Sequence, residues 1–423
     1  MPTLRDPLWN NIRVDGPYLR LMDSAPFQRL RYVRQLGLAH LVYPGATHSR
    51  FEHALGAYHL ARLTVRVLED AGELHAVPDL DRRIVVAAAL LHDIGHYPFS
   101  HALEEIGVPH HEEVARPLIA EGAVGAILRE EFAADAPERV LALVRGVSES
   151  PLQGLISGSI DLDKTDYLKR DAMMCGVAYG EIDVDRLRHA LTIVTDPVTG
   201  RPTVGLREKG LSALESLLFA KYQMYRNVYW QHAVRSATAM YKRLVEDALR
   251  AGHLAVDTLA SFTDEGILHA LDRAGERSAG RTGDRTGDHA GAPPLLGAIR
   301  ERRLYKRAME APAAELTGLD LEWIAEDRDR TRAAEEVLAR AHGLQSGELL
   351  LDYPQKERMV GLDLPLLARD GSVRRITDSG LAGAINLPIL AEELYQSARW
   401  LRVFTAGRVE IPRAEVLAVL ASS

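Results

Sequence analysis

The segment RIVVAAALLHDIG, from Arg83 to Gly95, is the feature that most constrains the fold of this chain. It contains no helix breaker before Gly95, where we expect a helix to be capped. Its apolar run from Ile84 to Leu91 is far shorter than the roughly 20 residues that cross a bilayer, so it predicts a helix buried in a core. His92 and Asp93 then follow at the end of that helix.

Helical patterns continue through most of the first 250 residues. Residues 50–72 have apolar side chains close to helical spacing, and residues 211–252 form a long, aromatic-rich helical stretch. Between them, β-branched runs flank Gly and Pro and predict a hairpin around residues 192–207.

The length of 423 residues favours two lobes over one core. We expect a mainly α fold, with a catalytic core over residues 1–250 and a smaller α+β lobe over residues 251–423. Short strands are expected in ERMVGLDL and SVRRITD of the second lobe. The low-complexity segment 274–294 repeats Arg-Thr-Gly-Asp and predicts a flexible surface loop.

Composition excludes several classes of function. A net charge of −8 argues against general binding to nucleic acid, although a small phosphorylated ligand stays compatible with it. The single cysteine, Cys175, rules out an internal disulfide and a thiolate zinc cluster, and it suits a reducing cytoplasm. The polar start MPTLRDPLWNN shows no signal-peptide pattern, so we expect a soluble cytoplasmic protein with no membrane segment.

Widely separated segments supply a candidate metal centre. His53, His92, Asp93 and Asp163 offer two imidazoles and two carboxylates, a mixed set that suits Mn, Fe, Ni, Co or Zn better than an all-oxygen Mg²⁺ cage. His92 and Asp93 point about 100° apart on a helix, so both reach one ion only if the helix end aims at it. Alternatively, the His-Asp pair is a surface or capping pair and His53 a core histidine.

The flanking residues carry a resemblance to a known family. The blocks APFQRLRYVRQLGLAHLVYPGATHSRFEHALG, LLHDIGHYPFSH and DLDKTDYLKRD resemble the HD-domain metal-dependent phosphohydrolases. More narrowly, they are similar to the deoxynucleoside triphosphate triphosphohydrolases, both the animal members with a sterile alpha motif and their bacterial relatives. The similarity covers roughly residues 5 to 240 and would place an HD-domain helical core there.

The resemblance implies hydrolysis of a deoxynucleoside triphosphate (dNTP) to the deoxynucleoside and inorganic triphosphate. His53, His92, Asp93 and Asp163 would then be the metal ligands, with an additional Mg²⁺ as a further expectation. The leaving 5′ oxygen needs a proton, and the resemblance assigns that role to His101, supported by the carboxylate of Glu104. His96 and His111 would contact phosphate oxygens or assist proton transfer.

The same resemblance gives candidate substrate contacts. Gln35 and Leu36 match a sugar pocket, and Arg50 matches a phosphate-binding arginine. In DLDKTDYLKRD, Lys164 would contact phosphate, while Tyr167 and Asp171 would favour deoxyribose over ribose. The alternative for this segment is an ordinary amphipathic helix with charge pairs four residues apart. Likewise, Tyr229 and Trp230 fit either stacking on a base or core packing.

Asp23, Gln28 and Arg31 match residues that read a guanine nucleotide at an allosteric site of the animal relatives. A nucleotide activator is therefore one interpretation. Support of a helix and a subunit interface is the other. The resemblance also implies a homo-oligomer, either a dimer or a tetramer.

Two other functions remain open from the sequence. An enzyme with the same metal could act on another nucleotide or on a phosphodiester in nucleic acid, and the acidic net charge counts against the latter. The other hypothesis is a nucleotide-sensing protein with a vestigial site, and the intact set of candidate ligands argues against it.

Overall fold

The computed structural model of the protein describes residues 2–282, 295–316, 318–355, 363–376 and 386–422. Helices predominate, and small sheets lie mainly in the second half, so the prediction of a mainly α fold with a smaller α+β part is confirmed. The helices are α1 (Gly16–Met22), α2 (Ala25–Gln28), α3 (Arg50–Asp70), α4 (Asp79–Leu91), α5 (His111–Ala120), α6 (Gly122–Glu131), α7 (Ala136–Val144), α8 (Leu162–Cys175), α9 (Val184–Ala190), α10 (Leu211–Met224), α11 (His232–Arg250), α12 (Asp264–Thr282), α13 (Leu295–Arg300), α14 (Trp323–Glu326), α15 (Arg328–Ala341), α16 (Leu387–Ala398) and α17 (Arg413–Ser422).

The strands form three small sheets. They are β1 (Thr3–Asp6), β2 (Asn10–Arg13), β3 (Leu191–Thr195), β4 (Pro202–Arg207), β5 (Lys306–Pro312), β6 (Leu349–Asp352), β7 (Leu364–Leu367), β8 (Val373–Ile376) and β9 (Trp400–Thr405). β1 and β2 pair as a hairpin, and the other sheets have the orders β3-β4-β7-β8 and β5-β9-β6. All pairs are antiparallel except β4 with β7.

The central helices are α3, α4 and α8, with α3 packed against the other two. A capping box starts α3, where the backbone N–H and the hydroxyl of Ser49 both donate to Glu52, at 2.6 and 2.9 Å. Residues 84–91 of α4 are all buried, as the apolar run predicts. Gly56 allows α8 to approach α3 closely, because a Cβ there would overlap the Asp166 carboxylate. This packing brings the polar ends of α4 and α8 to the same side of α3.

Several predicted elements change when the chain folds. The hairpin at 192–207 is confirmed as β3 and β4, and SVRRITD contains β8. The long helical stretch at 211–252 is instead two helices, α10 and α11, separated by a π-helical turn at Tyr225–Tyr229. The predicted loop 274–294 is wrong over its first part, because α12 continues to Thr282. Residues 283–294, and residues 357–362 of ERMVGLDL, lie outside the described part of the chain.

The packing crosses the expected lobe boundary at residue 250. β7 and β8 extend the β3-β4 hairpin, and Leu364, Leu366 and Ile376 join the core formed by α3, α4 and α8. A second core packs the described side chains of α11 and α12 against Phe99 and Leu103. Because both cores contain residues from each side of residue 250, the division into residues 1–250 and 251–423 stays a prediction. Segments after residue 250 pack against the segments that form the candidate site.

Candidate active site

The predicted metal ligands come together from three places in the fold. His53 lies in the second turn of α3, His92 and Asp93 in the turn that ends α4, and Asp163 in the first turn of α8. His53 Nε2 is 3.2 Å from His92 Nε2, 2.9 Å from Asp163 Oδ1 and 3.6 Å from Asp93 Oδ2. His92 Nε2 is 3.3 Å from Asp93 Oδ1 and 3.5 Å from Asp163 Oδ1. The expectation that the end of α4 aims both side chains at one point is met.

These distances fit one cation. Two ligand atoms bound at about 2.1 Å and at right angles to each other lie about 3 Å apart, close to the separations observed. His53 is fully buried and Asp93 is 3% exposed, whereas the side chains of His92 and Asp163 are 13% and 34% exposed, so the cluster opens to the cavity on the side of Asp163. Two imidazoles and two carboxylates suit a borderline transition metal. The cluster therefore fits a divalent metal site.

A carboxylate behind the cluster orients its most buried histidine. His53 Nδ1 donates to Asp166 Oδ2 at 2.8 Å, which leaves Nε2 facing the ligand cluster. Arg170 donates to both oxygens of Asp166 at 2.9 Å and to Asp6 at 2.8 Å. Burial opposes ionisation, but Arg170 and His53 together hold the pKa of Asp166 well below its usual range. Asp166 was not among the predicted site residues, although its spacing of four residues from Arg170 on one helix was a usable signal.

A second cluster of histidines lies beside the first. The His96 ring stacks on His111 at 3.8 Å and meets His101 edge-on at 4.6 Å. Both oxygens of Glu104 are used, since Oε2 lies 3.0 Å from His101 Nδ1 and Oε1 lies 2.7 Å from His111 Nδ1. Glu104 is thus close enough to support His101.

Burial and charge set the protonation of this second cluster. Burial lowers the pKa of His111 to about 4 and also holds the pKa of His96 well below its usual value. Burial opposes ionisation of Glu104 as well, yet His101 and His111 hold the pKa of this carboxyl well below its usual range. Glu104 is therefore a carboxylate near neutral pH and accepts hydrogen bonds from both imidazoles. The side chain of His101 is 56% exposed and is the histidine of this cluster most open to solvent.

The turn between the two clusters is strained and tightly packed. α4 ends at Leu91 rather than at Gly95, so the predicted cap is wrong. Gly95 is needed instead for close packing with α5, because a Cβ there would overlap the carbonyl oxygen of His111. Phe99 and Ser100 have φ angles of 58° and 62°. Such left-handed conformations cost a non-glycine residue about 1–2 kcal/mol each, so the surrounding contacts must hold them.

Arg50 bridges the metal cluster and this turn. Its Nη1 donates to Asp93 Oδ2 at 2.5 Å, and its Nε donates to Ser100 Oγ at 2.9 Å. The side chain is 3% exposed and lines both cavities of the site. The predicted phosphate arginine therefore lies at the site while already being ion-paired with a candidate ligand.

Two adjoining cavities open from the clusters. One, of about 210 Å³, is lined by charged and imidazole side chains, among them His92, His96, His101 and His111. The other, of about 320 Å³, is lined by Leu36, by aromatic rings and by polar side chains. Both share the residues Gln35, Arg50, His101, Asp163 and Tyr167. A ligand with an anionic end and a flat, partly apolar end matches this pair of cavities.

The predicted sugar residues line the larger cavity. Gln35 is 7% exposed, and its Oε1 has no hydrogen-bond partner among the described residues. Asp171 accepts from Tyr229 at 2.7 Å, and its other oxygen lies 2.8 Å from His48 Nε2. His48 was missed by the sequence analysis. It follows Gly45-Ala46-Thr47 directly, and no pattern in this short stretch indicates a contact with Asp171.

Two other predicted substrate contacts, Lys164 and Trp230, already have partners within the protein. The Lys164 ammonium donates to the Asp161 carboxylate and, at 3.1 Å, to the carbonyl oxygen of Gly158. Trp230 is 5% exposed and packs edge-on against Tyr225 and Tyr395, while it also lines the larger cavity. The two interpretations of this ring, packing and base stacking, are therefore compatible.

The candidate allosteric residues make local contacts. Gln28 donates to the carbonyl oxygen of Met22 at 2.7 Å and accepts from Arg31 Nε at 2.8 Å. The Arg31 guanidinium lies 3.5 Å from the centre of the Phe51 ring, and Asp23 is exposed at the end of α1. These contacts match the interpretation of helix support, and the nucleotide-activator site stays a prediction.

Comparison with known proteins places the chain in a family. Residues 50–171 match the HD domain, and residues 182–386 match the HD associated region. An uncharacterized protein of Methanocaldococcus jannaschii is 37% identical over 272 residues, 64% of this chain and 55% of that protein. The deoxynucleoside triphosphate triphosphohydrolase SAMHD1 of Bos taurus is 30% identical over 274 residues, 55% of this chain and 45% of that protein. The chain thus matches about half the length of these relatives.

Solved structures extend the likeness over the whole chain. A hypothetical protein from Aquifex aeolicus is 28% identical, with a TM-score of 0.70 over 99% of each chain. A phosphohydrolase from Bacteroides thetaiotaomicron shares the fold, with 21% identity and a TM-score of 0.70 over 96% of this chain and 100% of that one. The chain belongs to the HD-domain phosphohydrolase superfamily. Deoxynucleoside triphosphate triphosphohydrolases are among its relatives within that superfamily. Among the described helices, none is both long and apolar enough to cross a membrane.

Proposed function

We propose that this protein hydrolyses deoxynucleoside triphosphates to the deoxynucleoside and inorganic triphosphate. The observation that carries the proposal is the pairing of two adjoining cavities. The smaller one is lined by His92, Asp93 and Asp163 of the metal cluster, the larger one by Asp171 and aromatic rings, and Gln35 and Tyr167 line both. In this arrangement the triphosphate lies in the smaller cavity, and the sugar and base lie in the larger one. The likeness to the triphosphohydrolase of Bos taurus supports the same substrate class.

The metal would be held by His53, His92, Asp93 and Asp163, and when bound it supplies Lewis-acid polarisation of a phosphate oxygen and a more acidic water. Its type is one of Mn, Fe, Ni, Co or Zn, and an additional Mg²⁺ would accompany the substrate phosphates. Asp166 keeps His53 oriented for this task through the contact at 2.8 Å.

The chemical step is a displacement at the α-phosphorus. A water oxygen forms a bond to that phosphorus and gives up one proton to solvent, and the bond from phosphorus to the nucleoside 5′ oxygen breaks. The protonated His101 gives a proton to the departing 5′ oxygen, which would otherwise leave as a strongly basic alkoxide. Glu104 accepts from His101 Nδ1, so the proton for transfer is on Nε2. Arg50 contributes positive charge to the phosphate oxygens, and the neutral imidazoles of His96 and His111 contribute hydrogen bonds.

Selection of deoxyribose is assigned to the larger cavity. The unpaired Oε1 of Gln35 would accept from the 3′ hydroxyl, because a buried amide oxygen without a partner is costly. The ring of Tyr167 would lie against the 2′ carbon and exclude a 2′ hydroxyl. Lys164 must exchange its contact with Asp161 for a phosphate oxygen if it is to bind substrate.

The test is product analysis with purified protein, each dNTP and each candidate metal in turn. Deoxynucleoside and triphosphate are the expected products. Deoxynucleoside monophosphate with pyrophosphate would refute the triphosphohydrolase assignment, as would no turnover with any metal. The substitution Gln35→Ala should lower kcat/KM for dNTPs about tenfold to a hundredfold, because one buried polar contact is lost. Gln396→Ala is the matched control, since the Gln396 amide lies outside both cavities and donates to Glu392 within α16 in an exposed contact.

A further inference from the structure

The turn that carries His101 needs support from outside itself. Phe99 and Ser100 are consecutive non-glycine residues with φ near +60°, a conformation that L-residues avoid. They connect His96 to His101, so any relaxation of the turn would move the candidate proton donor relative to the metal cluster. The groups that hold this turn are therefore part of how the site is positioned.

A single carboxylate from the HD associated region holds two site segments at once. Asp264, the first residue of α12, accepts from the backbone N–H of Phe99 at 2.7 Å with Oδ1. Its Oδ2 accepts from the backbone N–H of Arg34 at 3.0 Å, and Arg34 directly precedes Gln35. Asp264 is 2% exposed, so these two N–H groups have little access to water as an alternative partner.

This carboxylate is not needed to start its own helix. Thr263 Oγ1 accepts from the backbone N–H of Gly266 at 3.1 Å and thereby caps α12. The side chain of Asp264 is directed across to the other two segments instead. Ser100 Oγ also donates to the carbonyl oxygen of Arg34 at 2.7 Å, which links those two segments to each other.

A neighbouring arginine reinforces the same connection. Arg29 donates to the carbonyl oxygen of Phe262, just before α12, at 3.0 Å. It also donates to the carbonyl oxygen of His96 at 2.7 Å. The start of α12 is therefore tied to both ends of the turn from His96 to Phe99, and α12 cannot shift without moving it.

We propose that Asp264 is a positioning residue of the active site, which fixes the strained turn before His101 and the backbone before Gln35. This inference rests on the proposed function, because it assigns His101 the proton transfer and Gln35 the sugar contact. It gives the HD associated region a defined part in the chemistry that the HD domain alone does not supply.

The test uses the full chain loaded with metal and two substrates that differ in their leaving group. A dNTP needs a proton on its 5′ oxygen, whereas the p-nitrophenyl ester of thymidine 5′-monophosphate releases p-nitrophenolate, which leaves without one. In Asp264→Asn the amide group retains one acceptor oxygen and presents its NH₂ to a backbone N–H. We expect kcat on the dNTP to fall about tenfold to a hundredfold, as small misplacements of catalytic groups do. We expect kcat on the aryl ester to stay within about threefold, while KM rises for both substrates because both carry the sugar that Gln35 contacts.

Glu265→Gln is the matched control. It removes a charge from the adjacent residue, whose side chain is 76% exposed and 3.8 Å from the Arg34 guanidinium. Both rates should be unchanged in this variant. Equal losses of kcat on the two substrates in Asp264→Asn would overturn the proposal, because they would indicate a general loss of structure. Unchanged rates on both substrates would overturn it too.

A second variant and a replacement substrate cover the two cases in which the first test would give no answer. If Asp264→Asn does not fold, Asp264→Glu keeps the charge and both acceptors on a longer stem. The same split between substrates is then expected at a smaller size, and its absence counts against the proposal. If the wild-type protein cleaves the aryl ester but no dNTP, the proposed function fails while this inference is still tested. The methyl ester of thymidine 5′-monophosphate then replaces the dNTP, because its leaving groups also need a proton.

Discussion

Two charged clefts border helix α3, and they differ in how their polar groups are satisfied. The candidate active site uses a cavity of about 210 Å³ that is lined by Arg50, the first residue of the helix, and by His92 and Asp93. Further along, a larger cleft of about 630 Å³ is lined by residues that include Arg62, Arg66 and Glu69. By size and by the number of charges alone, the second cleft would be the better candidate.

The pairing of the charges reverses that ranking. In the larger cleft Arg62 pairs with Asp15 at 3.4 Å and Arg66 with Asp70 at 3.9 Å, and the latter two side chains are more than three-quarters exposed. In the active site Gln35 Oε1 and His96 Nδ1 are buried and have no hydrogen-bond partner among the described residues. In the larger cleft Asp15 Oδ1 is also without such a partner, but the other oxygen of that carboxylate pairs with Arg62. Buried groups that lack a partner are costly, so they mark a ligand site better than charges that already neutralise each other in water.

The largest expected effect comes from removing metal ligands at the first cleft. His92→Ala with Asp93→Ala should abolish metal binding and reduce turnover about a thousandfold or more, because the polarising ion is lost. Metal content by elemental analysis and turnover of dNTPs measure the two effects. Loss of Asp93 also leaves the buried Arg50 without the carboxylate with which it forms an ion pair. His92→Ala alone is therefore the matched variant, because it keeps the Arg50–Asp93 pair. Full activity in the double variant would contradict the metal assignment.

A smaller effect on metal binding is expected at Asp166, which contacts the candidate ligand His53 from behind. Asp166→Asn keeps the shape of the side chain but removes the charge that orients His53 and pairs with Arg170. Metal affinity should fall about 10–100-fold, the usual range for such supporting partners, as measured by titration of the metal-free protein. Asp185→Asn is the control, because the Asp185 side chain is 81% exposed on α9. Unchanged affinity in Asp166→Asn would mean that His53 needs no such support.

The smallest effect is expected at the larger cleft. Arg66→Ala removes an exposed, already paired charge, so the free energy of unfolding should change by no more than about 0.5 kcal/mol. Turnover of dNTPs should equal that of the wild type. A large loss of activity in this variant would show that the second cleft takes part in function, and it would break the contrast drawn between the two.

Much of the active site was predictable because its residues carry their chemistry in their type. The imidazoles and carboxylates of His53, His92, Asp93 and Asp163 are typical metal-ligand groups, and the structure brings all four together. The contact between Glu104 and His101 was also expected, as an implication of the family resemblance. Their roles in catalysis, and those of the sugar residues, remain predictions to be tested by the substitutions above.

Other features could not be read from the chain because they depend on which partner is nearest. Lys164 was expected at phosphate, yet it donates to Asp161 because that carboxylate lies three residues before it at the start of α8. Gly95 was expected as a helix cap, yet its role is set by the approach of α5, which no local pattern reports. The break between α10 and α11 has the same character, since a π-helical turn has no strong sequence signal.

The sequence by itself determined the helical core, the ligand types and the chemistry they favour, since these follow from periodicity and from the donor atoms of the side chains. Only the tertiary structure decided which groups support the site, because contacts such as Asp166 with His53, and Asp264 with Phe99 and Arg34, join residues more than 100 positions apart. Such contacts depend on how closely helices approach one another, and that is set by the packing of the whole core.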